Sequence, residues 1–131
     1  MGTSIAEAKA ATTSLLQKVQ PHMEETQALM TLGDFLPVAL QALETIESFE
    51  AKVPEVLQRY TSTCNKLRET IQETEDAGGQ RAWKDVTIEG KSWTAHRITM
   101  QSYIQILQVQ AIKKKVETPL PKYDEPPPYD A

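Results

Sequence analysis

An all-α fold, a small helical bundle of long amphipathic helices with a disordered proline-rich tail, is what three features of this 131-residue chain predict. Apolar residues recur at alternating steps of three and four along most of its length. Glycines and prolines fall between those runs, where turns would join helices. Five of the eight prolines, Pro119, Pro121, Pro126, Pro127 and Pro128, crowd into the last 13 residues, a stretch that cannot build a core. The chain divides accordingly into a helical bundle domain over residues 1–115 and a tail over 116–131.

Ser4 and Glu7 stand at the spacing of a capping box, in which each side chain satisfies a backbone donor at a helix start. A first helix is predicted from Ile5 to Gln20, with Ile5, Ala8, Leu15, Leu16 and Val19 as its apolar stripe. Pro21 ends it or opens a further turn toward Leu32. Gly33 reads as a helix stop and Asp34 as the N-cap of a second helix from Phe35, with Pro37 in a first turn that has no intrahelical donor to lose. Leu36, Leu40, Leu43, Ile46, Phe49 and Val53 mark its inner face. Pro54 either kinks one long helix or separates two; separation is favoured, because a compact bundle must reverse its chain.

The clearest period runs through Val53, Leu57, Tyr60, Cys64, Leu67, Ile71 and Thr74, at steps of 4, 3, 4, 3, 4 and 3. This is an a/d packing seam, serving a neighbour within the bundle or another subunit, and it makes Cys64 a small core residue. Gly78-Gly79 then breaks the chain. Asp85 to Glu89 alternates, and Gly90-Lys91 could turn it into Ser92 to Ala95, giving a short β-hairpin near 85–95. The helical alternative is the stripe Trp93, Arg97, Met100, Ile104, Leu107 and Ala111, which predicts a helix from Ser92 to Lys114. Ile104 to Val109 has enough β-branched residues to admit a strand instead.

A net charge of −4 conceals three blocks. Residues 1–76 hold 12 acidic and 6 basic side chains, residues 77–116 hold 2 and 7, and residues 117–131 hold 4 and 1. The basic block contains Arg81, Lys84, Lys91, Arg97, Lys113, Lys114 and Lys115, with Trp83, Trp93 and Tyr103 between them. Such a patch could face an anionic membrane or a nucleic-acid backbone, although the acidity of the whole chain opposes attraction to polyanions and a solvated face over core aromatics explains it as well. Nucleic acid is therefore not an expected partner. A single cysteine excludes an internal disulfide and the paired-cysteine zinc sites, and points to a reducing compartment. Gly2 becomes N-terminal after methionine removal, but Ala6 stands where the myristoylation pattern prefers Ser or Thr. No Gly-rich phosphate loop, HExxH or serine elbow occurs, and His22 and His96 lie far apart, so neither enzymatic activity nor a cofactor is expected.

The tail reads Val116-Glu117-Thr118-Pro119-Leu120-Pro121-Lys122-Tyr123-Asp124-Glu125-Pro126-Pro127-Pro128-Tyr129-Asp130-Ala131. Its prolines bias the backbone to polyproline II, a shape that enters aromatic-lined grooves at low ordering cost. Pro126-Pro127-Pro128-Tyr129 resembles the PPxY motif bound by WW domains, and Leu120-Pro121-Lys122-Tyr123 resembles its LPxY variant. The resemblance implies that Pro126 and Pro127 pack on WW aromatics while Tyr129 fills the adjoining pocket, with Leu120, Pro121 and Tyr123 as a second site. It also implies WW-domain partners such as the Nedd4-type HECT ubiquitin ligases. Two functions are expected on that basis: an adaptor or scaffold whose helical body mediates assembly, or a viral matrix or Gag-like structural protein using PPPY as a late-budding motif. Both place the chain in the cytoplasm or peripherally at the cytosolic face of a plasma or endosomal membrane. Nucleic-acid binding through residues 81–115 is a third, lesser alternative.

Overall fold

A computed structural model of the chain describes residues 4–47 and 53–117. They form a four-helix bundle, comprising α1 (Ile5–Val19), α2 (Gln27–Glu47), α3 (Pro54–Asp76) and α4 (Trp93–Glu117). Ser4 caps α1 through a hydrogen bond from the Glu7 backbone N–H to its hydroxyl, 3.1 Å. A 3-10 turn over Gln20–His22, with Pro21 inside it, carries the chain out of α1. Pro54 occupies the first turn of α3, so Val53 and Pro54 separate two helices rather than kink one. Ala77 ends α3, and Gly78 and Gly79, with φ of 60° and 89°, take the left-handed conformation that halts a helix.

α1 packs against α2 and α3, and α4 against the same two, so α1 and α4 lie on one diagonal and α2 and α3 on the other. Directions follow from cross-contacts. Thr12 meets Tyr60 and Lys18 meets Glu75, so α1 and α3 run parallel. Lys9 at the start of α1 meets Glu47 at the end of α2, so those two run antiparallel. Ala42 and Ile46 of α2 share a groove with Ala111 and Ile112 of α4, which makes this pair parallel. The bundle is therefore up-down-up-down.

The α3 seam lies inside this one chain. Leu57, Tyr60, Cys64, Leu67, Ile71 and Thr74 are all buried, and Val53 packs half-buried against them. α1 contributes Ala8, Ala11, Thr12, Leu15 and Val19. Ile5 and Leu16, expected on the same stripe, pack at its margin. Phe49 lies outside the described residues.

Two expectations are corrected. α2 does not stop at Gly33 and restart near Phe35; it runs unbroken from Gln27 to Glu47 with Pro37 inside it. Leu29, Leu32, Leu36, Ala39, Leu43 and Ile46 form one buried row across the supposed break, and that shared face outweighs the helix-breaking residues. The hairpin near 85–95 reduces to one antiparallel bridge between Ile88 and Lys91. Glu89 and Gly90, with φ of 53° and 80°, form the tight turn between them. Pairing goes no further because Ser92 already caps α4, accepting the Ala95 N–H at 3.2 Å. The helix expected from Ser92 to Lys114 is present as α4, and Ile104 to Val109 lies within it rather than in the alternative strand.

Candidate functional site

The outward faces of the four helices differ in kind. α3 bears eight charged side chains in its 23 residues. α4 bears none across the 15 residues from Ile98 to Ile112. Ile98, Ile106, Val109 and Ile112 on α4, and Met30 and Val38 on α2, are large apolar side chains left exposed. Val38, Gln41, Ala42, Thr45 and Ile46 of α2 and Gln108, Ala111 and Ile112 of α4 line a groove of about 720 Å³. The groove between α2 and α4 is thus apolar and amide-rich, although α2 also exposes Asp34, Glu44 and Glu47, and α3 is the most heavily charged helix.

α2 is long and apolar enough to pass for a membrane span by length and composition, yet it supplies eight buried residues to the bundle, which accounts for that composition. The groove opens near the end of α4, from which the chain continues into the tail. Leu120, Pro121, Tyr123, Pro126, Pro127 and Tyr129 lie outside the described residues, as does Gly2.

The basic residues are dispersed. Arg81, Lys84 and Lys91 are exposed around the pole where α4 begins, while Lys113 stands about 30 Å away, one α4 length along the axis. Lys114 and Lys115 belong to the last turns of α4, and their side chains lie outside the described set. Arg97, placed by its spacing on the inner stripe of α4, is only half-buried and donates to Gln101 Oε1 at 3.2 Å. His96 takes the inward position. The Ile88 carbonyl can only accept, so His96 Nε2 donates to it across 2.7 Å, and the ring is buried without an unsatisfied donor. The interleaved aromatics also face inward. Trp93 is buried and donates from Nε1 to the Trp83 carbonyl at 2.8 Å, and Tyr103 packs half-buried against the core.

Two polar clusters knit α1 to α3. At the pole where α4 begins, Glu75 accepts from Lys18 Nζ at 2.8 Å and lies 2.5 Å from His22 Nε2, and the His22 ring stacks on Trp83 with centroids 4.3 Å apart. Hydrogen bonds from Lys18 and His22 hold the Glu75 carboxyl below its ordinary value of 4.5. In the core, Thr12 Oγ1 is 2.7 Å from both Tyr60 Oη and the Ala8 carbonyl. The carbonyl only accepts, so Thr12 donates to it and Tyr60 donates to Thr12. Burial pushes the Cys64 thiol up to about 12, far from the thiolate a nucleophile requires. Among the described residues, no three His, Cys, Asp or Glu side chains converge as metal ligands.

Comparison with family models, curated proteins and solved structures returned no match. Sequence reading missed the outer face of α4 because it assigned one stripe to each helix. The signal was present: Ile98, Ser102, Gln105, Val109 and Ile112 form a second series at steps of 4, 3, 4 and 3.

Proposed function

We propose that the chain is a non-enzymatic adaptor whose four-helix body mediates assembly and whose tail presents Pro126-Pro127-Pro128-Tyr129 to WW-domain proteins of the Nedd4 ubiquitin-ligase type. The PPPY sequence carries this reading. Its support is chemical: proline rings at successive positions fit an aromatic groove, and a tyrosine one position later adds a ring whose hydroxyl can be satisfied in a neighbouring pocket. The body is compatible with it: the polar clusters described join helices, and the outward face of α4 from Ile98 to Ile112 carries no charge and exposes Ile98, Ile106, Val109 and Ile112.

Capture of the full chain by immobilised WW domains tests the motif. Tyr129→Ala is expected to weaken capture by about 10-fold or more, as removal of a buried aromatic anchor does. Tyr123→Ala alone is expected to weaken it less, and the double substitution to abolish it, since two linked weak motifs raise each other's effective concentration. Equal capture of wild type and Tyr129→Ala overturns the assignment.

A further inference from the structure

The groove between α2 and α4 exists because small residues line its floor. Ala42 and Ala111 are buried there, where leucines would fill the space, and Val38 and Ile112, 63% and 62% exposed, form its rims. α2 and α4 run the same way, so the groove opens at the pole where α4 ends. Residues 118–131 continue from that mouth and carry the tail's two apolar stretches, Leu120-Pro121 and Pro126-Pro127-Pro128-Tyr129.

We infer that Leu120 and Pro121 fold back into this groove, so that its occupant is the chain's own LPxY segment. Reach selects a segment of this chain. Pro119 has no N–H and disfavours the helical conformation at Thr118, so the helix is not set to continue past Glu117. Glu117 stands about 9 Å beyond Ala111 along α4 at 1.5 Å per residue. The four steps from Glu117 to Pro121 span up to about 13 Å when extended, enough for that drop and for the sideways step into the groove. A tether this short gives an effective concentration on the order of millimolar, so a contact too weak to hold a free peptide is filled from within. The lining suits a proline segment. Two of its backbone nitrogens carry no hydrogen, and its carbonyls can accept from the carboxamides of Gln41 and Gln108, both exposed along the groove.

Charge selects Leu120-Pro121 over the PPPY stretch. Asp34 stands one turn before Val38 on the line Asp34, Val38, Gln41 and Thr45, at steps of 4, 3 and 4. It is exposed and makes no ion pair with a described residue. Lys122, the only base in residues 117–131, follows Pro121 directly and is carried along the groove toward Asp34. PPPY is bounded instead by Glu125 and Asp130, which Asp34 repels. An exposed pair of this kind adds little affinity, but it sets which stretch enters and in which direction. The consequence rests on the reading of the tail as a WW ligand: the body covers Leu120 and Pro121 while PPPY stays free, so a WW domain is taken first at Tyr129 and the second motif is held in reserve.

Mild oxidation of full chains carrying Tyr123→Cys with either Val38→Cys or Ile106→Cys tests the docking. Val38 borders the groove, whereas Ile106, 42% exposed, lies on the far side of α4 within the span of the same tail. The Val38 pair should link within one molecule at least about 10-fold faster than the Ile106 pair, because a disulfide needs Cα atoms within about 7 Å. Leu120→Asp should erase that preference, since an apolar groove does not take up a carboxylate. Lys122→Asp should lower it about threefold and Asp34→Lys should then restore it, the size expected of an exposed ion pair. The tail substitutions alter no buried residue of the bundle, so a lost preference is not a loss of folding. Equal linkage at Val38 and Ile106, linkage that ignores Leu120→Asp, a preference unmoved by the charge exchange, or disulfides between two chains rather than within one overturns the proposal. The reserve role has its own readout. In a Tyr129→Ala chain, Ala42→Phe, which fills the groove, should raise the residual WW capture by about 10-fold if the second motif is free a tenth of the time; unchanged capture overturns that role. No WW domain takes part in the linkage experiment, so selective linkage in a chain that no WW domain captures keeps the docking and removes the adaptor reading.

Discussion

Thr12 shows how a single hydroxyl can tie two helices together inside a core. It gives its proton to the Ala8 carbonyl and takes one from Tyr60, leaving no group of the trio unpaired. Thr12→Val is expected to cost about 1–3 kcal/mol in chemical denaturation, the penalty for stranding a buried phenol hydroxyl. Tyr60→Phe added to Thr12→Val should recover a large part of that loss, because the stranded group is gone. Glu75 gives a pH signature. Its carboxyl is held below 4.5 in the folded state by Lys18 and His22, so the unfolded chain binds a proton first as pH falls. The stability it contributes is fully present above 4.5 and is lost as pH drops through the lower folded value. Glu75→Gln should therefore be less stable than wild type at neutral pH, with the difference closing below pH 4.5 in a urea titration series. Cys64, fully buried and with its thiol pushed up, should resist alkylation by iodoacetamide until the chain is unfolded.

Helices were legible in the sequence where the period was long, and their ends where a cap or a glycine pair stood. α3 is the plainest case, because seven evenly alternating positions leave one solution. α2 was misread because Gly33, Asp34 and Pro37 are strong local signals and tertiary packing is not local. The unbroken row Leu29, Leu32, Leu36, Ala39 and Leu43 was the contrary signal. Gly33 also serves packing: a Cβ there would meet Met23 Sδ at 2.5 Å and Cγ at 2.9 Å. Gly33→Ala should gain little alone, because the crowding offsets the roughly 1 kcal/mol of helix propensity. In a Met23→Ala background the same change should stabilise by about that amount, and a thermal double-mutant cycle would measure the coupling. Pro37 lacks the N–H that would bond the Gly33 carbonyl, so Pro37→Ala, at an exposed site, is expected to stabilise by about 1–3 kcal/mol in the same assay. The start of α4 was half legible. Glu89-Gly90 does make a hairpin turn, but Lys66 holds Glu89 from α3 at 2.9 Å while capping by Ser92 leaves no strand to follow. The PPPY motif is read from four consecutive residues alone, Pro126 to Tyr129, which lie outside the described residues. The outer face of α4 was not legible, because whether a stripe faces the core or solvent is decided by its neighbours.

At the scale of the molecule, the heavily charged α3 and the charge-free stretch of α4 from Ile98 to Ile112 give the body unlike faces, and the ring order of the helices gives it two poles. α1 begins, α2 ends, α3 begins and α4 ends at one pole. The helix connections after α1 and α3, with Trp83 and Gly78-Gly79, occupy the other. The first turn of α1 and the last turn of α4 are diagonal neighbours, about 14 Å apart for helices packed roughly 10 Å from each other. The bundle is therefore close to being a closed circuit. A few added residues joining the end of α4 to Ser4, with the chain reopened between Gly78 and Gly79, should give a permuted protein with the same helical circular-dichroism spectrum and cooperative melting. Its new ends would project from the pole opposite the one where α4 ends, so a reporter fused there would stand clear of the new joint and of the groove mouth near Ile112.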